Sequence, residues 1–213
     1  MGKKYTLIST ARTWAGRTMY QVVYANGSLG GFIESEKNLS QEGSCRVCDN
    51  AQVFGNARVF GDAWVFGNAR VCDNAQVFGN ARVCGDALVC GDALVWDNAR
   101  VSGNALVSGN AWVCGNAQVS GNAQVSGDAL VSGNALVSGN AQVTSPSDCI
   151  CLSGFQYAIT CLPKGVQIGC EFKTYAAWLK VTKKEAATMG LKAKHFAAIK
   201  SFIKTIHKFH REV

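Results

Sequence analysis

From Val47 to Gln142 apolar and polar positions recur with a period of six: the chain reads Val-x-Gly-Asn-Ala-x sixteen times in succession without an insertion. The array opens with VCDNAQ (47–52) and VFGNAR (53–58) and closes with VSGNAQ (137–142). Val is invariant at the first position and Ala at the fifth; the fourth is always Asn or Asp, and the third is Gly except for Asp49, Asp73 and Asp97. Within each unit Ala-x-Val-x sends a small residue in, a variable one out, an apolar one in and a variable one out, which is a short strand with one buried face. Gly-Asn then supplies two residues tolerant of left-handed backbone angles, so each strand ends at a corner. Every strand has the same polarity and the same phase, which excludes hairpins. Three units therefore close a triangular prism of 18 residues per turn, with Ala near the crowded corners and Val in the middle of each wall.

This pattern resembles the hexapeptide-repeat left-handed β-helix, and the fold class expected is mainly β: a three-walled left-handed parallel β-helix with an N-terminal β cap and a C-terminal β-hairpin plus helices. Stepping back in sixes from the first repeat places Cys45, Leu39 and Ile33 at the alanine-equivalent position, so residues 29–46 read as a degenerate first coil. About six and a half turns give a rod roughly 30 Å long at a strand spacing of ~4.8 Å. Its terminal coils are open β-edges and need covers. Three segments follow: a β cap over 1–28, the β-helix over 29–144, and a hairpin with a basic amphipathic helical cap over 145–213. In the first, KYTLIS and RTMYQVVY flank Ala15-Gly16 and end in an Asn26-Gly27 turn. In the last, 157–162 and 166–172 flank Pro163-Lys164-Gly165, and a Lys-Gly turn puts Ile159, Cys161, Val166, Ile168 and Cys170 on one face. Thr182-Lys-Lys-Glu185 is a capping-box start and Gly190 a helix stop. Lys194 to Phe209 then runs amphipathically through Phe196, Ile199, Phe202, Ile203, Ile206 and Phe209.

Because residues 18 apart stack in columns, the exterior can be sorted onto walls. One wall carries Arg58, Gln76, Leu94, Trp112 and Leu130 beside Phe60, Phe78, Trp96, Cys114 and Ser132. Of these, Phe60, Phe78, Leu94, Trp96, Trp112 and Leu130 cannot reach the interior and form an apolar patch that water would touch unless something covers it. Three uses are open: a homo-oligomer seam or a dock for the molecule's own terminal helix, a partner-binding surface anchored by Trp96 and Trp112, or a small-molecule aromatic site.

Composition narrows the class. No run of 18 apolar residues exists, so no membrane-spanning helix is expected, and MGKKYTLISTARTW lacks the apolar centre of a secretory signal. Ten cysteines then read as reduced thiols in a cytosol rather than a disulfide framework. The net charge of +7 is unevenly placed: the array holds four Arg and seven Asp, whereas 164–213 hold eleven Lys and Arg against three Glu. Lys192, Lys194, Lys200, Lys204, Lys208 and Arg211, with His195, His207 and His210, make the terminal helix a weak candidate for phosphates or nucleic acid, against a plain solvated face. No nucleic-acid module accompanies it.

Catalytic chemistry is sparse. Hexapeptide acyltransferases place a catalytic His on or beside the prism and carry a protruding loop; the sixteen repeats here hold no His and no loop. The related carbonic anhydrases need three His on the coils. The histidines of the terminal helix read as surface groups. Cys45-x-x-Cys48 alternates in and out, and Cys149, Cys151, Cys161 and Cys170 are better explained in part as hairpin core, so neither a metal nor a cofactor is expected. Cys72 and Cys90 stack one coil apart as an air-oxidisable pair. The outward serines spread over all three walls, against an ice-binding ladder, and the Asn and Asp corners read as hydrogen-bonded scaffold.

Residues Leu29-Gly-Gly-Phe-Ile-Glu-Ser-Glu-Lys-Asn-Leu-Ser-Gln-Glu-Gly43, running straight into the array, resemble a family of bacteriophage and prophage hexapeptide-repeat proteins. The resemblance covers residues 3 to about 144, and the Ile168-Gly-Cys…Trp178 tail more loosely. It implies a phage-encoded accessory protein in the cytoplasm of the bacterial host and carries no established activity. The expectation is a non-enzymatic scaffold, homo-oligomeric, binding a host protein and inhibiting a host defence system. The alternatives are an acyltransferase-like enzyme with a site shared between subunits and nucleic-acid binding through the terminal helix.

Overall fold

Seventeen two-residue strands, β4 (Arg46–Val47) to β20 (Gln142–Val143), follow one another every six residues. The computed structural model in which they are seen describes residues 2–14, 16–152 and 154–212, with the side chains of residues 9–12, 194, 211 and 212 outside that description. Each strand up to Gln124-Val125 pairs in parallel with the one 18 residues on, as Leu88 and Val89 do with Leu106 and Val107. The strands stack into three walls: wall A from Gln52-Val53 to Gln142-Val143, wall B from Arg58-Val59 to Leu130-Val131, and wall C from Arg46-Val47 to Leu136-Val137. The period of six thus builds a three-walled parallel β-solenoid of about six turns.

The backbone explains the period. In the unit beginning at Val83, the amides of Cys84, Asp86 and Leu88 donate to the carbonyls of Val101, Gly103 and Ala105, each at 2.9 Å. Three amides per hexapeptide are satisfied by the turn above, although the strands themselves are only two residues long. The repeat's valines are all closed to solvent, and its alanines are at most 1% exposed up to the last turn. The fourth residues form their own ladder: Asn80, Asn98 and Asn116 each donate from Nδ2 to the next amide oxygen above, at 3.2, 3.2 and 3.1 Å.

The third residue makes the corner. Glycines there have φ between +62° and +70°, and a β-carbon on Gly91 would lie 2.9 Å from backbone atoms of Gly109. Asp49, Asp73 and Asp97 adopt the same left-handed conformation, with φ of 56°, 60° and 56°. Each is followed 18 residues on by a glycine, whose amide donates to the aspartate's Oδ2 at 3.0–3.1 Å. The side chain thus offsets the backbone strain that any residue but glycine carries there.

The N-terminal cap is a hairpin of β1 (Tyr5–Trp14) and β2 (Arg17–Tyr24). β3 (Leu29–Ile33) is antiparallel to β2 and parallel to the first full strand of wall A, so the hairpin extends that wall. The first turn corrects the sequence reading. Cys45 keeps the alanine register, but Ile33 lies opposite Val53 and Leu39 opposite Val59. Gln41-Glu42 lengthen the corner by two residues, so the count of six fails there. The lower end is plugged by tyrosines. Tyr5 donates to the Leu39 carbonyl at 2.6 Å, and Tyr24 both donates to the Val47 carbonyl and accepts from its amide. Burial pushes the Tyr5 hydroxyl up to about 12 and raises that of Tyr24 further.

At the other end β21 (Ile150–Leu152), β22 (Ile159–Leu162), β23 (Gly165–Ile168) and β24 (Glu171–Lys173) form an antiparallel sheet. Leu162 joins the solenoid core, and Thr160 Oγ1 accepts from the Leu136 amide at 2.9 Å in place of a further turn. The expected hairpin exists, but its turn is Pro163-Lys164, and Gly169-Cys170 form a second turn that splits 166–172. Gly169 is left-handed (φ 56°), which breaks the strand, and Cys170 is exposed rather than in the hairpin core. α1 (Tyr175–Lys180), α2 (Lys183–Thr188, with the Thr182–Glu185 capping box) and α3 (Ala193–Glu212) follow. They close a second core in which Trp178 Nε1 donates to the Val166 carbonyl at 2.8 Å.

Two stability effects are expected. Asp97→Ala keeps a side chain in the left-handed corner and strands the Gly115 amide, so it should cost about 1–2 kcal/mol. Asp97→Gly, which relieves the strain, should cost less than about 1 kcal/mol; denaturant midpoints of the two variants check the order. The Glu34 carboxylate accepts from the Gly55 amide at 2.6 Å and from Arg17 at 2.9 and 3.1 Å. The Gly55 bond, opposed by partial burial and helped by Arg17, holds its pKa below the ordinary glutamate range. The unfolded chain therefore takes up this proton first as pH falls. Glu34's contribution is present at neutral pH and is lost through the folded-state value. In Glu34→Gln the decline of stability between about pH 5 and pH 3 should be shallower, as read from midpoints across that window.

Candidate binding surface

Stacking at every 18th residue turns isolated aromatic letters into a ladder on wall B. Phe60 and Phe78 are parallel at 4.8 Å, Phe78 and Trp96 at 5.9 Å, and Trp96 meets Trp112 edge-on at 5.7 Å. Arg58 lies over the Phe60 ring at 5.5 Å and ends the ladder. The six residues expected on this patch do share one wall. Phe60, Phe78, Leu94 and Trp96 shield one another and are half-buried, whereas Trp112 is 49% and Leu130 36% exposed. The apolar surface open to water is thus concentrated at the upper end. There Trp112, Leu130 and Pro146 line a notch of about 290 Å3 with Asn110 and Asp128 on its rim, room for one large side chain.

Among the described residues the terminal helix is not seen to bury this wall, whose Trp112 and Leu130 stay exposed. α3 packs on α1 and α2 and buries Phe196, Ile199 and Ile203 in the second core. The intramolecular dock is therefore not realised, because the helix's apolar stripe is already used. Lys192, just before that helix, and Lys204 and Lys208 on it are exposed, while Lys200 donates to the Val181 carbonyl at 2.9 Å and lies over the Phe196 ring. Lys200 is therefore part of the packing. The side chains of Lys194 and Arg211 lie outside the described residues. The histidines, expected at the surface, are half-buried against rings: His195 edge-on to Phe155 at 5.6 Å and His207 to Tyr175 at 4.9 Å. Desolvation lowers the His210 pKa, with Asp148 opposing and His207 adding to the shift.

Sequence reasoning missed three features. Pro146, which completes the notch, lies past the repeat and has no register to place it. On wall C, Trp64 is 41% exposed with Arg82 over its ring at 5.6 Å. On wall A, the tip of the N-terminal hairpin reaches up the solenoid: Arg17 lies over Phe54 at 5.7 Å and Arg70 over Trp14 at 5.8 Å. The 18-residue columns carried the signal for Trp64 but could not show how far the hairpin reaches.

Among the described residues Cys149, Cys151, Cys161 and Cys170 do not converge on a common centre, whereas Cys72, Asp73 and Cys90 on wall A bring their ligand atoms within 4.8 Å of one another. The neighbouring Cys72 thiol lowers the Cys90 pKa, while Cys90 and burial raise that of Cys72.

Seven segments of the array match the family model described as YdcK Beta solenoid repeat: residues 51–67, 69–85, 75–91, 99–115, 117–132, 123–139 and 129–144. No curated protein matches the chain. Fold and repeat together make it a β-solenoid repeat protein, and none of its described helices is long and apolar enough to cross a membrane.

The ladder and the notch are expected to separate in stability measurements. Phe78→Ala, which opens the stack between Phe60 and Trp96, should cost about 1–2 kcal/mol. Trp112→Ala should stay within about 0.5 kcal/mol of the parent, because half of its ring already faces water. Thermal or denaturant unfolding of both checks the contrast.

Proposed function

We propose that this chain is a non-catalytic scaffold that binds a partner protein through the upper end of wall B. The observation that carries the reading is the Trp112–Leu130–Pro146 notch at the head of a rigid aromatic ladder. Tryptophans at the rim of a pocket that fits one side chain are the usual anchors of protein interfaces. A scaffold whose every turn is hydrogen-bonded to the next holds such anchors with little ordering cost on association. The chemistry of the wall favours a protein over a nucleic acid: Arg58 is its single cationic column residue, and the acidic Asp128 lines the notch. The lack of histidine in the array supports a binding role over acyl transfer, since that class draws its base from such a position.

The resemblance of residues 29–43 to phage and prophage repeat proteins supports a bacterial host protein as the partner and the host cytoplasm as the place. Interference with a host defence system is the biological consequence this reading favours. Affinity purification from infected cells is expected to yield a host protein whose retention falls at least about tenfold with Trp96→Ala plus Trp112→Ala. Unchanged retention would sink the assignment of this face. A light-scattering mass that drops from dimer to monomer in the same variant would make it a seam between copies instead.

A further inference from the structure

We propose that Cys72, Asp73 and Cys90 form a site on wall A for one thiophilic divalent cation of the zinc class. Their two sulfurs and a carboxylate oxygen lie within 4.8 Å of one another, and Cys72 Sγ is 3.7 Å from Asp73 Oδ2. Two thiolates and a carboxylate are a zinc donor set, with water in the fourth place. The carboxylate is held rather than free. Asp73 sits in a left-handed corner (φ 60°), and its Oδ2 accepts from the Gly91 amide at 3.1 Å, so the turn that carries Cys90 also fixes the third ligand.

The fold's spacing suits a metal. Outward side chains stacked on adjacent parallel strands stand about 4.8 Å apart. A disulfide asks its β-carbons to approach within about 3.5–4.5 Å. A tetrahedral ion with metal–sulfur bonds of about 2.3 Å instead asks for sulfurs about 3.8 Å apart, which needs only side-chain rotation. Ligation by both thiolates would release their protons to solvent.

The chain contains its own controls. Asp49 and Asp97 occupy the same corner and make the same bond to the amide above, at 3.0 and 3.1 Å. Cys48 precedes Asp49, but Phe66 stands where the second thiol would be; Trp96 precedes Asp97, below Cys114. Only the middle aspartate corner has cysteine on both turns. Serine occupies this outward column at Ser108 and Ser126, so Cys72→Ser and Cys90→Ser repeat choices the scaffold already accepts.

The test is titration of the reduced full-length protein with Cd2+, read by thiolate-to-metal charge-transfer absorption, with competition by Zn2+. The parent is expected to take up one equivalent more than Cys72→Ser or Cys90→Ser. Asp73→Asn should weaken that equivalent ~tenfold, and Phe66→Cys should add a second beside Asp49. Identical titrations of the parent and the double serine variant would overturn the proposal, as would a Phe66→Cys protein that folds and gains nothing. A Cys72–Cys90 disulfide mapped in air-exposed protein, with no cadmium equivalent lost in the serine variants, would assign the pair to redox chemistry and also overturn it.

Discussion

The structure depends on one constraint, a left-handed corner at the third residue of every hexapeptide. It turns the chain through the same angle each time, so that three amides per unit meet carbonyls one turn higher. Two-residue strands have no stability of their own, and each exists because the turns below and above complete its hydrogen bonds. Glycine meets the demand without strain. The three aspartates meet it by spending their carboxylates on the glycine amide above, which ties a conformational exception to an extra contact between turns.

That constraint makes surface chemistry a matter of columns. A residue's neighbours are those 18 before and after it, so a sequence that varies its two outward letters writes stripes along the rod. Phe60, Phe78 and Trp96 protect one another and leave the exposed apolar area where the stripe ends, at Trp112 and Leu130. Cys72 and Cys90 are neighbours by the same rule, and Asp73 belongs to them because the corner aims its side chain at the next turn.

The ends carry the structure's exceptions. A stacked solenoid presents unpaired edges, and both are met with side chains standing in for a missing turn: Tyr5 and Tyr24 below, Thr160 and Leu162 above. The hairpin at one end and the small sheet with its three helices at the other are therefore covers first. The basic helix is bound into the upper cover through Phe196, Ile199 and Ile203, which is why its apolar stripe is not available to the aromatic wall.

The sequence alone determined the walls, the inward valines and alanines, the corner ladder and the membership of the aromatic column, because a strict period leaves one register and register fixes which side chains are neighbours. It erred where the period lapses: two additional residues at Gln41-Glu42 moved Ile33 and Leu39 to the valine register, and a left-handed Gly169 divided what read as one strand. Only the tertiary structure decided what covers what. That the terminal helix uses its apolar stripe in the second core, that Pro146 completes a notch beside Trp112, and that Asp73 turns toward two thiols all depend on the path of the chain outside the repeat or on a side chain's direction at a corner, and neither is encoded in spacing.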